Sequence, residues 1–354
     1  MGVPFAYFDF QMDFSSSQGF FSTQNQTTIV PKLKLDFIRQ CVFRGHRSGW
    51  RHVLECLRPL HLNSGIGCDG FLESTFLWRF EPGLANRNVV YQEPWVGFLH
   101  NPPSIPPWYP EEERFHEPQA LLKNPAFVKS LANCKGLFVF SEHLKKHLNT
   151  LVDVEVASVF HPTAMPDLSW DPLRFKKNKD KKLLHVGSWL RKFTSFMRVA
   201  SPYRKVALVN SRHFLEEYCA EEIRHYNSLH QPKISTHNSD IELMDRVSDS
   251  SFDKMLAENV VFVDLYDASA NNTVVECIVR NTPILINRHP ATVEYLGEKY
   301  PLFFEDLGEA ALLLADPEKV FEAHRYLINS GLKERLHGDR FVESIASSAL
   351  YRNL

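Results

Sequence analysis

Leucines alternate with polar residues in Lys32-Leu-Lys-Leu-Asp-Phe-Ile, the period of a strand with one buried face. After the loop Arg44-Gly-His-Arg-Ser-Gly-Trp, residues Val53, Leu54, Leu57 and Leu60 recur on one helix face. Strand, glycine-containing loop and helix, in that order, open a doubly wound α/β domain. Trp95-Val-Gly-Phe-Leu-His and Gly136-Leu-Phe-Val-Phe are short continuous apolar runs, as expected of strands covered on both faces. Ser141 is placed to cap a following helix whose Leu144 and Leu148 share a face. The segment Asn101-Pro-Pro-Ser-Ile-Pro-Pro-Trp-Tyr-Pro is too rich in proline for a helix or central strand, and reads as a shaped loop. Across residues 161–182 the pattern breaks into His-Pro, Met-Pro and Asp-Pro steps and a charged run, Lys176 to Lys182, which predicts an interdomain linker. A second set of elements follows, with strands at 183–186, 206–209, 260–265 and 283–286 and helices at 212–228, 250–258, 273–280 and 317–330.

The pattern therefore predicts an extension over 1–30, a Rossmann-like domain over 31–165 and a second over 166–340. For residues 341–354 a final helix is expected, with a return to the first domain as one option. A chain of 354 residues is long enough for two cores, and 44% hydrophobic with 23% charged residues is ordinary globular composition. Forty basic side chains against 42 acidic ones give a net charge of −2, which argues against a generic partner of nucleic acid or anionic membrane. Local contact with a membrane surface stays open. The six cysteines (Cys41, Cys56, Cys68, Cys134, Cys219 and Cys277) are scattered without a C-x-x-C pair, so reduced thiols are expected rather than disulfides or zinc. Neither a signal peptide nor a span of about 20 apolar residues is evident, and a cytoplasmic location is expected.

The stretch Val260 to Asn287 holds the most informative chemistry. It reads as buried strand, polar loop, short helix and strand. Asn271 or Asn272 can cap the helix and Thr273 starts it, so the first-turn N–H groups and the helix dipole form a site for a diphosphate. Glu276 lies about one turn in, within reach of a ribose beside the phosphates. Asn281 stands where a helix ends in a left-handed residue, and Pro283 opens the next strand without needing an N–H.

On these residues the chain resembles the retaining GT-B glycosyltransferases, specifically glycosyltransferase family 4 (group 1). Glu276-Cys-Ile-Val-Arg-Asn-Thr-Pro-Ile occupies the place of the family's Glu-Ala-Met-x-x-Gly-x-Pro-Val segment, and Glu294-Tyr-Leu-Gly follows. Ser48-Gly49-Trp50 resembles the N-domain glycine loop, and Phe138 to Leu148 the last N-domain strand and helix. His185-Val-Gly-Ser-Trp-Leu-Arg-Lys resembles the first C-domain strand, whose loop carries a basic pair toward the donor phosphates. The resemblance implies two Rossmann-like domains around a cleft. A nucleotide-diphosphate sugar would bind the second domain, and a glycan, glycoconjugate or other hydroxyl acceptor the first.

Under that resemblance Gly187, Ser188, Arg191, Lys192, Asn271, Asn272, Thr273 and Glu276 hold the donor, Gly49 shapes the N-domain loop, and His100 faces the transferred sugar. The family pairs two glutamates, the second matching Glu276. The first falls on Ala268, so Asp267 beside it is the candidate to take over that role. Transfer with retention is implied, with no cofactor beyond the donor. Metal independence is expected because no Asp-x-Asp motif lies in a suitable loop. His143 and His147 have the i,i+4 spacing of a zinc pair, but Lys145 and Lys146 between them point to an exposed helix face. Trp108-Tyr109 stacks on an acceptor sugar or packs within the protein, and both readings stand. Ala268 favours a second reading, a GT-B relative that binds nucleotide or glycan without turnover as a partner subunit. A third reading is a GT-B sugar-nucleotide epimerase, which would give product without an acceptor.

Overall fold

The computed structural model describes residues 29–36, 49–77, 89–109, 116–209, 212–235, 240–245 and 247–354. Expectations for Phe37, Ile38, Cys41, the loop 44–48 and most of the 1–30 extension lie outside these residues. Residues 31–354 form one compact unit. It contains two parallel sheets. The first holds β1 (Leu33–Leu35), β2 (Ile66–Asp69), β3 (Trp95–Leu99), β4 (Cys134–Val139) and β5 (Val156–Ser158), side by side in chain order. The second holds β6 (Lys182–Val186), β7 (Arg204–Leu208), β8 (Glu242–Met244), β9 (Val260–Val263), β10 (Ile284–Asn287) and β11 (Phe303–Phe304). Its order is β11-β10-β9-β6-β7-β8, so strand succession reverses between β9 and β6. Ligands of such sheets bind outside the carboxyl ends of the strands at that reversal.

The strands form where apolar runs can be covered on both faces. Val260, Val261, Phe262 and Val263 of β9 are all fully buried, as are Leu183 and Leu184 of β6. Burial of each such side chain stabilises the fold by roughly 1.5–3 kcal/mol. Helices needed below are α1 (Trp50–Leu57), α2 (Leu72–Phe76), α3 (Glu142–Leu148), α4 (Arg212–Leu229), α5 (Asp249–Glu258), α6 (Asn272–Arg280), α7 (Pro290–Leu296), α8 (Gly338–Ser347) and α9 (Ala349–Arg352). No helix among the described residues is long and apolar enough to cross a membrane.

Three local features come from recognisable signals. Ser141 accepts the Leu144 N–H (3.1 Å) and starts α3. Asn271 caps α6, and Asn281 ends it in the left-handed region at φ 54°. Gly136 (φ 149°) lies so close to the Leu350 side chain that a Cβ there would collide with it. The last two helices pack on the first sheet and its cover: α8 lies on α1, α9 on β5, and Lys32 Nζ donates to the Tyr351 and Arg352 carbonyls at 3.1 and 2.9 Å.

The stretch 161–182 is more structured than a linker. Asp171 caps a helix at Pro172–Lys177, where the proline sits in the first turn and needs no N–H partner. Trp170 and Phe175 are buried in the core of the second sheet, and the Trp170 Nε1–H donates to the Asn259 carbonyl at 2.9 Å.

Candidate functional site

Loops leaving the carboxyl ends of both sheets line one cavity of about 520 Å³. Gly49, Phe71, His100, Asn101, Phe140 and His161 line it from the first sheet's side; Gly187–Arg191, Leu208, Phe252 and 267–273 line it from the second, and Glu276 completes the wall. Eight of the predicted donor, sugar and loop residues therefore meet at one place: Gly49, His100, Gly187, Ser188, Arg191, Asn271, Asn272 and Thr273. Asp267 and Glu276 join them.

The loop after β6 turns on two residues in the left-handed region, Gly187 (φ 75°) and Leu190 (φ 56°). A Cβ on Gly187 would stand 3.2 Å from the Arg191 guanidinium, so the glycine serves both the turn and the close approach of the cation. Arg191 Nη1 donates to the Trp189 carbonyl (2.9 Å) and Nη2 to Thr273 Oγ1 (3.1 Å). No carboxylate among the described residues lies within ion-pair distance of it. Burial pulls its pKa down to about 10, partly offset by Tyr109 and Tyr218, and it stays cationic at neutral pH. Arg191 is thus a cation at the reversal point with no anion among the described residues to neutralise it. Lys192, expected beside it, does not line the cavity. Its Nζ pairs with Asp264 at 2.9 Å and lies over the Tyr266 ring, because successive residues of this extended segment point to opposite sides.

The start of α6 is narrower as an anion site than its sequence suggests. Asn271 Oδ1 already takes the Thr273 and Val274 N–H groups at 3.0 and 3.3 Å. Of the first-turn donors, that leaves the Asn272 N–H for a ligand. Glu276 lies on the cavity wall, but its carboxylate is ion-paired with Arg280, which is fully buried and also pairs with Asp253 at 2.5 Å. This pairing fixes the Glu276 rotamer from behind.

Asp267 is held differently from a free sugar-binding carboxylate. Its Oδ2 accepts the Ser104 N–H at 2.8 Å, and its Oδ1 lies 3.0 Å from both His143 Nε2 and His289 Nε2. Burial alone would raise its pKa, but the hydrogen bonds from His143 and His289 and their electrostatic pull bring it down to about 2. Its role is to clasp α3 and the 101–109 loop to the second sheet. Glu294 works alongside it, accepting the Glu142 and His143 N–H groups at the start of α3 at 2.7 and 2.8 Å. His143 is therefore no free surface residue, and His147 makes a separate contact with Gln119 Oε1 at 3.3 Å.

His143, Asp267 and His289 bring three ligand-type atoms within 4.8 Å of one another. The hydrogen bonding fits a clasp better than a metal. His289 Nδ1 accepts the Ala291 N–H at 3.2 Å, which places the ring proton on Nε2, the atom aimed at Asp267. A metal-bound imidazole instead uses its second nitrogen as a donor.

His100 lies at the cavity, stacked on Phe71 at 3.8 Å between centroids, and its Nε2 is 2.8 Å from the Gly70 carbonyl. Burial holds its pKa down at about 3, so it is neutral, with Nε2–H donating and Nδ1 left as an acceptor. The backbone after β3 is fixed by a residue that no motif flagged. Glu73 of α2 is fully buried, and its Oε1 accepts the His100 and Asn101 N–H groups, both at 2.6 Å. Burial raises its pKa to about 7 against the pull of these hydrogen bonds. Gly49 is the residue before α1, at an ordinary φ of −80°, so close approach to the cavity is its contribution rather than backbone freedom.

No family model matches the chain, and no curated protein is similar to it in sequence. Solved structures are similar in fold. HepE from Anabaena, in complex with UDP and glucose, matches with a TM-score of 0.53 and 11% identity over 72% of this chain and 70% of its own. Sucrose-phosphate synthase from Thermosynechococcus elongatus matches at 0.52 and 13% identity over 73% and 67%. A trehalose-6-phosphate structure from E. coli, bound with UDP-2-fluoro glucose, matches at 0.51 and 12% identity over 85% and 76%. Two parallel α/β sheets facing one cavity, a doubly wound order in the second and these likenesses together identify the chain as a protein of the GT-B fold.

Proposed function

We propose that this protein is a glycosyltransferase that takes a nucleotide-diphosphate sugar in the cavity and passes the sugar to a hydroxyl acceptor, with retention and without a metal or other cofactor. The observation that carries the reading is Arg191, a cation without an anion among the described residues, at the strand-order reversal beside the start of α6. Two of the similar structures hold UDP with glucose or a UDP-fluoroglucose, and a ligand of that kind suits this wall.

In this reading Arg191 and the Asn272 N–H offset the charge that develops on the departing diphosphate. Glu276, locked by Arg280, accepts from the ribose hydroxyls. Neutral His100 offers Nδ1 to a sugar hydroxyl on the side of the first sheet, from which a glycan or glycoconjugate acceptor enters. Gly187 and Ser188 give the diphosphate backbone room. Lys192 and Asp267, both engaged in ion pairs, drop out of direct donor contact.

Incubation with UDP-, GDP- and TDP-sugars, followed by assay of nucleotide release, tests the reading. Arg191→Ala and Glu276→Ala should raise the donor KM or abolish release, and unchanged donor kinetics in both variants would remove the site assignment. A second reading is a partner subunit that binds nucleotide or glycan without turnover. It is favoured by Ala268 at the family's first glutamate position and by the full engagement of Asp267. Nucleotide binding without release, even with acceptors present, would select it.

A further inference from the structure

We propose that Tyr109, from the proline-rich loop after β3, is a positioning residue for Arg191, acting through a bridge of two tyrosine hydroxyls. The proposal rests on the nucleotide-diphosphate reading above. Ile105 and Tyr109 leave the first sheet and join the hydrophobic cluster of the second, where Tyr109 is 2% exposed. Trp108 packs beside them against Tyr218, His225 and Tyr266, at centroid distances of 5.7, 5.6 and 5.4 Å. Tyr109 is thus a packing residue, with a specific polar consequence.

The Leu190 N–H donates to Tyr109 Oη at 2.8 Å. Tyr109 Oη is hydrogen-bonded in turn to Tyr218 Oη of α4, and Tyr218 Oη donates to the Arg191 carbonyl at 3.1 Å. The proton order is then determined: Leu190 N–H to Tyr109, Tyr109 O–H to Tyr218, Tyr218 O–H to Arg191 O. The chain of donors begins and ends on adjacent residues, and each hydroxyl both gives and accepts.

The place it grips is the strained one. Leu190 carries its side chain at φ 56°, a conformation costly for any residue with a Cβ. Two backbone bonds hold it there: its N–H on Tyr109, and its carbonyl accepting the Tyr266 N–H at 3.0 Å. The next residue is Arg191, whose guanidinium must stand clear of Gly187 and against Thr273. Without the Tyr109 hydroxyl, the Leu190 N–H loses its acceptor in a buried setting, and the left-handed residue that precedes Arg191 loses one of the two backbone bonds that hold it.

Tyr109→Phe removes the hydroxyl and leaves the ring to pack. Binding of UDP and GDP should weaken about tenfold, the size expected when a buried donor loses its partner, while binding of uridine and guanosine stays unchanged. In an Arg191→Ala background the same substitution should have little further effect on UDP or GDP. Amide hydrogen exchange in the peptide around Leu190 should accelerate in Tyr109→Phe, and Tyr218→Phe should reproduce the binding loss. Unchanged exchange at Leu190, equal losses for nucleoside and nucleoside diphosphate, or full additivity with Arg191→Ala would each overturn the proposal. Failure of the wild-type protein to bind any nucleoside diphosphate would sink the proposed function instead, and the exchange rate at Leu190 would still decide whether the bridge holds the loop.

Discussion

Glu73→Gln gives the sharpest pH-dependent prediction. The carboxyl is fully buried, accepts the His100 and Asn101 N–H groups on one oxygen, and leaves Oε2 without a protein partner. Its pKa rises from 4.5 to about 7. The folded state therefore holds a proton that the unfolded chain has released between those limits, and stability falls as pH rises through this window. The change corresponds to about 3 kcal/mol between pH 4.5 and pH 7, with no further loss from this group above that. Glutamine keeps an oxygen for the two N–H groups but carries no charge to desolvate. It adds an NH2 where Oε2 now lacks a partner, a cost that does not change with pH. Urea denaturation of the wild type and Glu73→Gln at pH 5, 6, 7 and 8 should show the difference moving in favour of the variant by about 2.5 kcal/mol from the lowest pH to the highest. Parallel curves would refute the assignment of a buried, proton-holding Glu73.

Arg191→Ala should weaken UDP or GDP binding by about 10- to 100-fold, the worth of charge-assisted hydrogen bonds, while leaving nucleoside affinity alone; calorimetric titration reads both. Asp267→Asn should destabilise by about 2 kcal/mol, since a pKa lowered from 3.8 to about 2 marks stability present above the ordinary value and lost as pH falls through the lower one. The deficit should be constant from pH 8 to 5 in urea titrations, and a deficit that vanishes by pH 5 would contradict it. Arg280→Met removes the fully buried cation that pairs with the buried Glu276 and the partly buried Asp253 and should cost about 3–5 kcal/mol, seen as a large drop in thermal midpoint; a change under 1 kcal/mol would show that the triad is not formed.

What could be read in advance depended on how local the cause was. The ends of α6 follow from neighbouring residues: Asn271 caps through its own side chain, and Asn281 tolerates the left-handed region. The apolar runs of β3, β4, β6 and β9 stand out because covered parallel strands lack alternation. Short strands such as Val156–Ser158 and Glu242–Met244 give too few residues for a period to show. Arg191 and Lys192 are indistinguishable as neighbours in sequence. The left-handed turn at Leu190 and the pull of Asp264 separate them, and Asp264 lies far along the chain. Asp267 stands out in the sequence only for its place beside Ala268, yet its partners Ser104, His143 and His289 come from three separate segments. Glu73 had no sequence signal at all, since a glutamate in a short helix looks solvated until β3 is laid against it.

The packing of α8 and α9 has a bearing on how the chain is made. Because α8 covers α1 and the Lys32 ammonium is bound by carbonyls of α9, the first sheet is finished by elements synthesised after the whole of the second sheet. The early half can then hold only a partial structure while the second sheet is being synthesised, with the face of α1 around Val53, Leu54 and Cys56 waiting for its cover. Stalling or proteolysis just before Gly338 would therefore damage the opposite half of the molecule from the one that was cut.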